Sequence, residues 1–179
     1  MKKRGQLLSQ PFFYISAIIV IGLILIFGFK VIGDLRRTGC NVENAKFLNE
    51  LEKNIDDMYT NFPGSSEDCS IVNSYGSSKN TCEIQAPSGI AGMCFVDFGN
   101  TVNTESIPFT NLKEDLQIIQ KGGGDDYNIY FAPKQENCKI DRKRITKIKI
   151  KENFCIDFNK KNKIRLENVG RSVEIRKVW

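Results

Sequence analysis

Between Phe12 and Phe29 the chain reads FFYISAIIVIGLILIFGF, eighteen residues without a charge. At a rise of about 1.5 Å per residue, about twenty apolar residues in a helix cross the hydrocarbon of a bilayer. Val31, Ile32 and Gly33 prolong the run past Lys30, whose long stem can carry its charge to a headgroup. A helix apolar on every side needs either an apolar solvent or a core large enough to surround it. A chain of 179 residues with 41% hydrophobic content rarely builds such a core. A transmembrane helix over residues 12–33 is therefore expected. It divides the rest into a basic cytoplasmic leader (1–11), a juxtamembrane linker (34–42) and an extracytoplasmic domain (43–179).

Charge and cysteine usage follow this division. Lys2, Lys3 and Arg4 precede the apolar run, and a short basic N-terminus stays cytoplasmic under the positive-inside rule. The net charge of +5 is not spread over the domain. Residues 43–133 hold 5 basic against 14 acidic side chains, and residues 134–179 hold 15 against 6. The two stretches are expected to neutralise each other within one domain; an acidic and a basic face meeting between subunits is the competing arrangement. All six cysteines, Cys40, Cys69, Cys82, Cys94, Cys138 and Cys155, lie beyond the span. None forms C-x-x-C and the chain has no histidine, which leaves zinc ribbons and thioredoxin-like redox motifs unsupported. Three disulfides in an oxidising space are expected. Proximity along the chain suggests Cys69–Cys82, Cys138–Cys155 and Cys40–Cys94, among fifteen possible sets.

The start of the chain bears on processing. A cleaved secretory signal has a shorter apolar core, and a lipoprotein has a cysteine directly after it, whereas Cys40 follows Asp34, Arg36 and Arg37. A plain signal anchor fits. So does a further fate, because Lys3-Arg4-Gly5-Gln6 stands immediately ahead of the apolar segment. This arrangement resembles the class III signal peptide of archaeal type IV pilins and pilin-like proteins, over about the first 33 residues. The resemblance implies cleavage between Gly5 and Gln6 by a prepilin-peptidase-like protease on the cytoplasmic side. It also implies self-association through the apolar helix and an extracellular filament as destination. Many pilins carry a glutamate at the fifth mature position, where it can neutralise a neighbour's new amine; here that position is Gln10.

After Gly39-Cys40-Asn41, where a helix break is expected, Leu48, Leu51, Ile55, Met58 and Phe62 recur at steps of three and four. They predict an amphipathic helix of about five turns, ended by Pro63-Gly64 and packed on a sheet. Residues 65–78 read as a polar loop. Strands are expected at 81–86, 92–98, 127–132, 144–151, 154–159, 163–169 and 172–178, the last five as an antiparallel meander. A helix carrying Leu112, Leu116 and Ile119 is expected between them, with Asn111 and Glu114 as a capping box and Gly122-Gly123-Gly124 as its stop. The fold class is α+β: a transmembrane helix, then an amphipathic helix packed on an antiparallel, disulfide-stabilised head, an order similar to pilin-like architecture.

Catalytic chemistry finds little to use. Without histidine there is no Ser-His-Asp triad or Cys-His nucleophile, and no catalytic, cofactor-binding or metal site is expected. Asp125-Asp126 reads as a solvated loop rather than a calcium site, and Asp56-Asp57 as water-facing. The basic run from Lys139 to Lys151 has only Tyr130, Phe131 and Phe154 nearby as aromatics, so nucleic acid is not an expected partner. The function expected is a structural, cell-surface, type IV pilin-like subunit rather than an enzyme, with the membrane as its first partner. The alternative is a non-polymerising single-span protein with an extracytoplasmic binding module.

Overall fold

A computed structural model describes residues 9–72, 82–100, 102, 107–134, 138, 140 and 142–178. Its first element, α1, is one helix from Ser9 to Thr60. The expected helix break at Gly39-Cys40-Asn41 is therefore replaced by continuous helix. One glycine costs a helix only about 1 kcal/mol relative to alanine, and the good helix formers Leu35, Arg36, Arg37, Ala45 and Lys46 flank it. The chain nonetheless forms two compact units, Met1–Gly39 and Cys40–Trp179.

In the second unit α1 is amphipathic. Phe47, Leu51, Ile55 and Met58 are buried, and Leu48 packs beside them. The Phe47 ring meets Phe131 edge-on at 6.2 Å and Phe158 at 5.6 Å. Each such side chain stabilises by about 1.5–3 kcal/mol when removed from water. The helix stops before Phe62, which the periodicity had included, because Pro63 disfavours helical backbone at the residue before it. Gly64 then takes a left-handed φ of 91°.

The last turn of α1 is closed from a distance. Asn168 is 2% exposed, and its Nδ2 donates to the carbonyls of Met58 (3.1 Å), Tyr59 (3.0 Å) and Asn61 (2.7 Å). Helix ends leave carbonyls without intrahelical donors, and here one side-chain amide serves them, sharing two hydrogens among three acceptors. Its Oδ1 accepts from Gly170 N–H, and its backbone exchanges bonds with Gly64 and Ser65.

The strands are β1 (Ser66–Val72), β2 (Glu83–Gln85), β3 (Ile90–Phe95), β4 (Ile129–Pro133), β5 (Arg142–Lys143), β6 (Ile148–Ile150), β7 (Phe154–Asp157), β8 (Asn162–Asn168) and β9 (Val173–Val178). They form two sheets. The five-stranded sheet has the order β2-β1-β8-β9-β6, and the four-stranded sheet has the order β5-β4-β3-β7. The second is antiparallel, whereas the first ends in parallel pairs, β1 with β2 and β6 with β9. The expected meander over 127–178 is thus a correction: β7 leaves its sequence neighbours to pair with β3. The expected polar loop over 65–78 is corrected in part, since Ser66–Val72 is strand β1. Cys69 and Ile71 point into the core while Asp68 and Ser70 face the wet side, so burial alternates in a segment of polar composition.

The five-stranded sheet and the inner face of the four-stranded sheet enclose one core with α1, which includes Ile84, Met93, Phe95, Ile129, Ile156, Ile164 and Leu166. The four-stranded sheet is buried on its other face as well. There Cys94, Val96, Tyr130 and Ala132 meet Leu112 and Leu116 of α2 (Thr110–Lys121). The expected capping box does not form: Asn111 lies inside α2, and the N-cap residue is Phe109, without a side-chain cap. The glycine stop does form, with Gly123 and Gly124 at positive φ.

Candidate functional site

In the first unit every large apolar side chain from Phe12 to Ile32 is exposed, with Phe12 at 75% and Phe29 at 72%. The helix is long and apolar enough to cross a membrane, and none of its most apolar window is buried inside the protein. That separates it from the core helix of a globular domain, which would be covered. An apolar surface this extensive marks a membrane or protein contact. Pro11 lies in the first turn, where the missing N–H costs no hydrogen bond. Gly5 and Gln6 lie outside the described residues.

The domain carries three disulfides, Cys40–Cys138, Cys69–Cys82 and Cys94–Cys155. Cys69–Cys82 agrees with the sequence expectation. Cys138–Cys155 and Cys40–Cys94 are overturned. Cys94 and Cys155 occupy directly opposed positions on β3 and β7, a pairing between strands 61 residues apart in sequence. Gly89 packs on the Cys40–Cys138 bond so closely that a Cβ there would lie 2.5 Å from Cys40 Sγ. Glu67, Cys69 and Cys82 come within metal-ligand distance of one another, but both sulfurs are spent in the disulfide.

The charge asymmetry resolves within the domain. Among the described residues, Lys143 pairs with Glu52 (2.8 Å), Lys147 with Asp56 (2.9 Å), Arg144 with Asp126 (3.3 Å), Arg142 with Asp125, and Arg165 with Asp68. All five link the acidic stretch to the basic one. The aspartates at 56, 125 and 126 are thus ion-paired rather than merely solvated, and Asp57 is exposed as expected. Four cations of the 139–151 run are engaged by carboxylates. Tyr130 and Phe131 are buried in the two cores, and Arg142 stacks 4.7 Å from the Tyr127 ring centroid. Burial pushes the Tyr130 phenol up, so it stays protonated.

Two asparagine side chains act as backbone surrogates. The Asn128 side chain exchanges two hydrogen bonds with Ile145, at 2.8 and 3.0 Å. Asn153 does the same with Asp97. Asn44 is 5% exposed, and neither amide atom has a hydrogen-bond partner among the described residues.

Two carboxylates are held below their ordinary range. Glu43 accepts hydrogen bonds from the Ser88 hydroxyl (2.6 Å) and the Ser88 backbone N–H (2.9 Å). Asp68 is held down chiefly by its hydrogen bonds from Arg165, at 2.5 and 2.8 Å. A depressed folded pKa adds stability that is fully present above the unfolded value and is lost as pH falls through the folded one. The ordinary values are 4.5 and 3.8, so acid destabilisation should set in below them. Glu43→Gln should lower the thermal midpoint at pH 7, and its difference from the parent should vanish in strong acid; a gap independent of pH would contradict the assignment.

No family model matches the chain, and no characterised protein or solved structure shows a significant match. A long apolar helix followed by a disulfide-bonded, two-sheet α+β domain is compatible with a pilin-like layout.

Proposed function

We propose that this chain is a membrane-anchored, cell-surface structural protein of the type IV pilin-like kind. The carrying observation is the helix from Phe12 to Ile32, whose apolar side chains have no cover of their own. In the bilayer it anchors the chain. After removal of Met1–Gly5 at the Lys3-Arg4-Gly5-Gln6 signal, it packs against other copies and gives an extracellular filament. The three disulfides support an extracytoplasmic domain, which puts the N-terminus in the cytoplasm. The residue resemblance to archaeal members supplies the processing protease as a partner.

Gln10 favours a second reading. A neutral side chain at that position cannot neutralise a neighbour's terminal amine, which fits a solitary anchored binding module.

Intact mass of the protein from its native host, with and without reduction and alkylation, tests both. The expected result is a chain beginning at Gln6, with no alkylatable thiol before reduction and six after. An intact leader would remove the pilin-like route and leave the anchored module. Six free thiols would overturn the extracytoplasmic placement.

A further inference from the structure

The domain carries an exposed apolar knob and, on a different surface, an open apolar groove. The knob is the tip beyond the end of α1. Phe62 is 87% exposed and Val169 46% exposed, and their two loops are tied together. Gly64 N–H donates to Asn168 O (2.7 Å), Asn168 N–H to Ser65 O (2.9 Å), and the Asn168 side chain to Asn61 O. A large aromatic held out on a pinned turn loses little freedom when it is covered, which makes it an efficient contact. Beside it stands Arg171, exposed and without a partner among the described residues.

The groove lies between α2 and the β4–β5 edge. It has a volume of about 360 Å³ and is lined by Leu112, Ile118, Ile119, Tyr130, Phe131 and Ile140. Ile118 is 69% exposed at its mouth. Asp115 lines it too, and Glu114 is its neighbour on α2; both are exposed and unpaired among the described residues. Arg142 lines it as well, with its guanidinium held by Asp125, so the groove offers apolar surface with the unpaired carboxylate of Asp115 at its rim, and the knob offers apolar surface with a positive charge beside it.

We infer that the groove receives the Phe62–Val169 knob of a second copy of this chain, with Arg171 set against Asp115. Knob and groove share no residue, so the contact is heterologous. Such contacts either close into rings or extend without limit. The contact goes beyond association through the apolar helix, and rests on the proposed function only for bringing the domains of neighbouring copies together.

The test uses the full chain reconstituted in lipid nanodiscs large enough for several copies, with p-benzoylphenylalanine at position 62 in one sample and at position 21 in another. The expected result is an intermolecular photo-adduct from position 62 that maps by mass spectrometry to residues 112–119 or 130–142. Ile118→Lys, at an exposed position, should cut its yield about tenfold. Arg171→Asp should lower the yield, and Asp115→Arg in the same chain should restore it. Adducts from position 62 that are absent, or that map elsewhere, overturn the docking. If position 21 still cross-links helix to helix, the filament reading survives that failure. If position 62 reaches the groove while position 21 stays silent, the docking stands and helix packing fails.

Discussion

Replacing Gly92 by alanine should strongly destabilise the domain. Gly92 sits on β3 beside a register irregularity, paired to Ala132 on one side and Asp157 on the other. A Cβ there would overlap the carbonyl oxygen of Ile156 and the ring of Phe109. The Phe109 ring could rotate, but the Ile156 carbonyl is backbone of β7, and β7 is held to β3 by the Cys94–Cys155 bond. Relief requires parting β3 from β7, the edge strand of the four-stranded sheet. Overpacking of this kind costs on the order of 4 kcal/mol, at the far end of what single substitutions do. In a domain of this size that lowers the thermal midpoint by roughly 15 °C. Gly170→Ala is the matched control. It has a positive φ of 94° but nothing within 4 Å of the added carbon, so it should cost only about 1–2 kcal/mol of backbone strain. Equal midpoints for the two variants, read by near-ultraviolet circular dichroism of the full chain in detergent, would refute the packing argument.

The second large effect is expected at Asn168. Asn168→Ala takes the side-chain donor from three carbonyls at the end of α1, leaving Met58 only the Asn61 N–H at 3.2 Å, and should cost about 3 kcal/mol. Asn168→Asp changes no volume, yet at pH 7 it sets an acceptor-only carboxylate against three carbonyl oxygens and should cost more, about 4–5 kcal/mol. The sign with pH separates the two. Burial without a cation raises the introduced carboxyl's pKa, so as pH falls through that value the group becomes neutral and regains one donor. The deficit of the Asp variant against the parent should therefore shrink in acid, while that of the Ala variant stays flat. Urea unfolding at pH 7 and pH 4.5 checks this, and parallel behaviour of the two variants would refute it.

What could be read from the residues was whatever repeats locally. Phe12 to Phe29 is apolar on all sides, and the three-and-four spacing of Leu51, Ile55 and Met58 marks one face, so both parts of α1 were visible. The alternation in Phe154-Cys155-Ile156 likewise marks β7. What escaped depends on partners far away in sequence. β1 was hidden because the wet face of its sheet puts Asp68 and Ser70 between Cys69 and Ile71, and the Asp68–Arg165 pairing that makes those polar residues fit spans 97 positions. The parallel pair of β6 with β9 brings together strands with two others between them in the chain. Asn168 falls inside the expected strand over 163–169, and only its bond from Gly170 is local. Its donation to α1 has no signature near it in the chain. Along α1 the residues err in opposite directions: Gly39 reads as too strong a breaker, and Phe62 as one more step of a periodic stripe that Pro63 stops.

The Cys40–Cys138 bond has a mechanical consequence. Cys40 is the first residue of the domain unit, so a pull delivered along the anchored helix reaches it before any packed side chain of that unit. From there the load passes through sulfur to Cys138, bypassing a stretch of chain with a sequence separation of 98. Phe47, Leu51, Ile55 and Met58, β1 to β4 and α2 all lie inside that covalent loop, which tension between the chain ends cannot lengthen. Only the segment beyond Cys138 can pay out under load. A surface fibre or tether built from such a chain would give by a short, fixed extension and then hold.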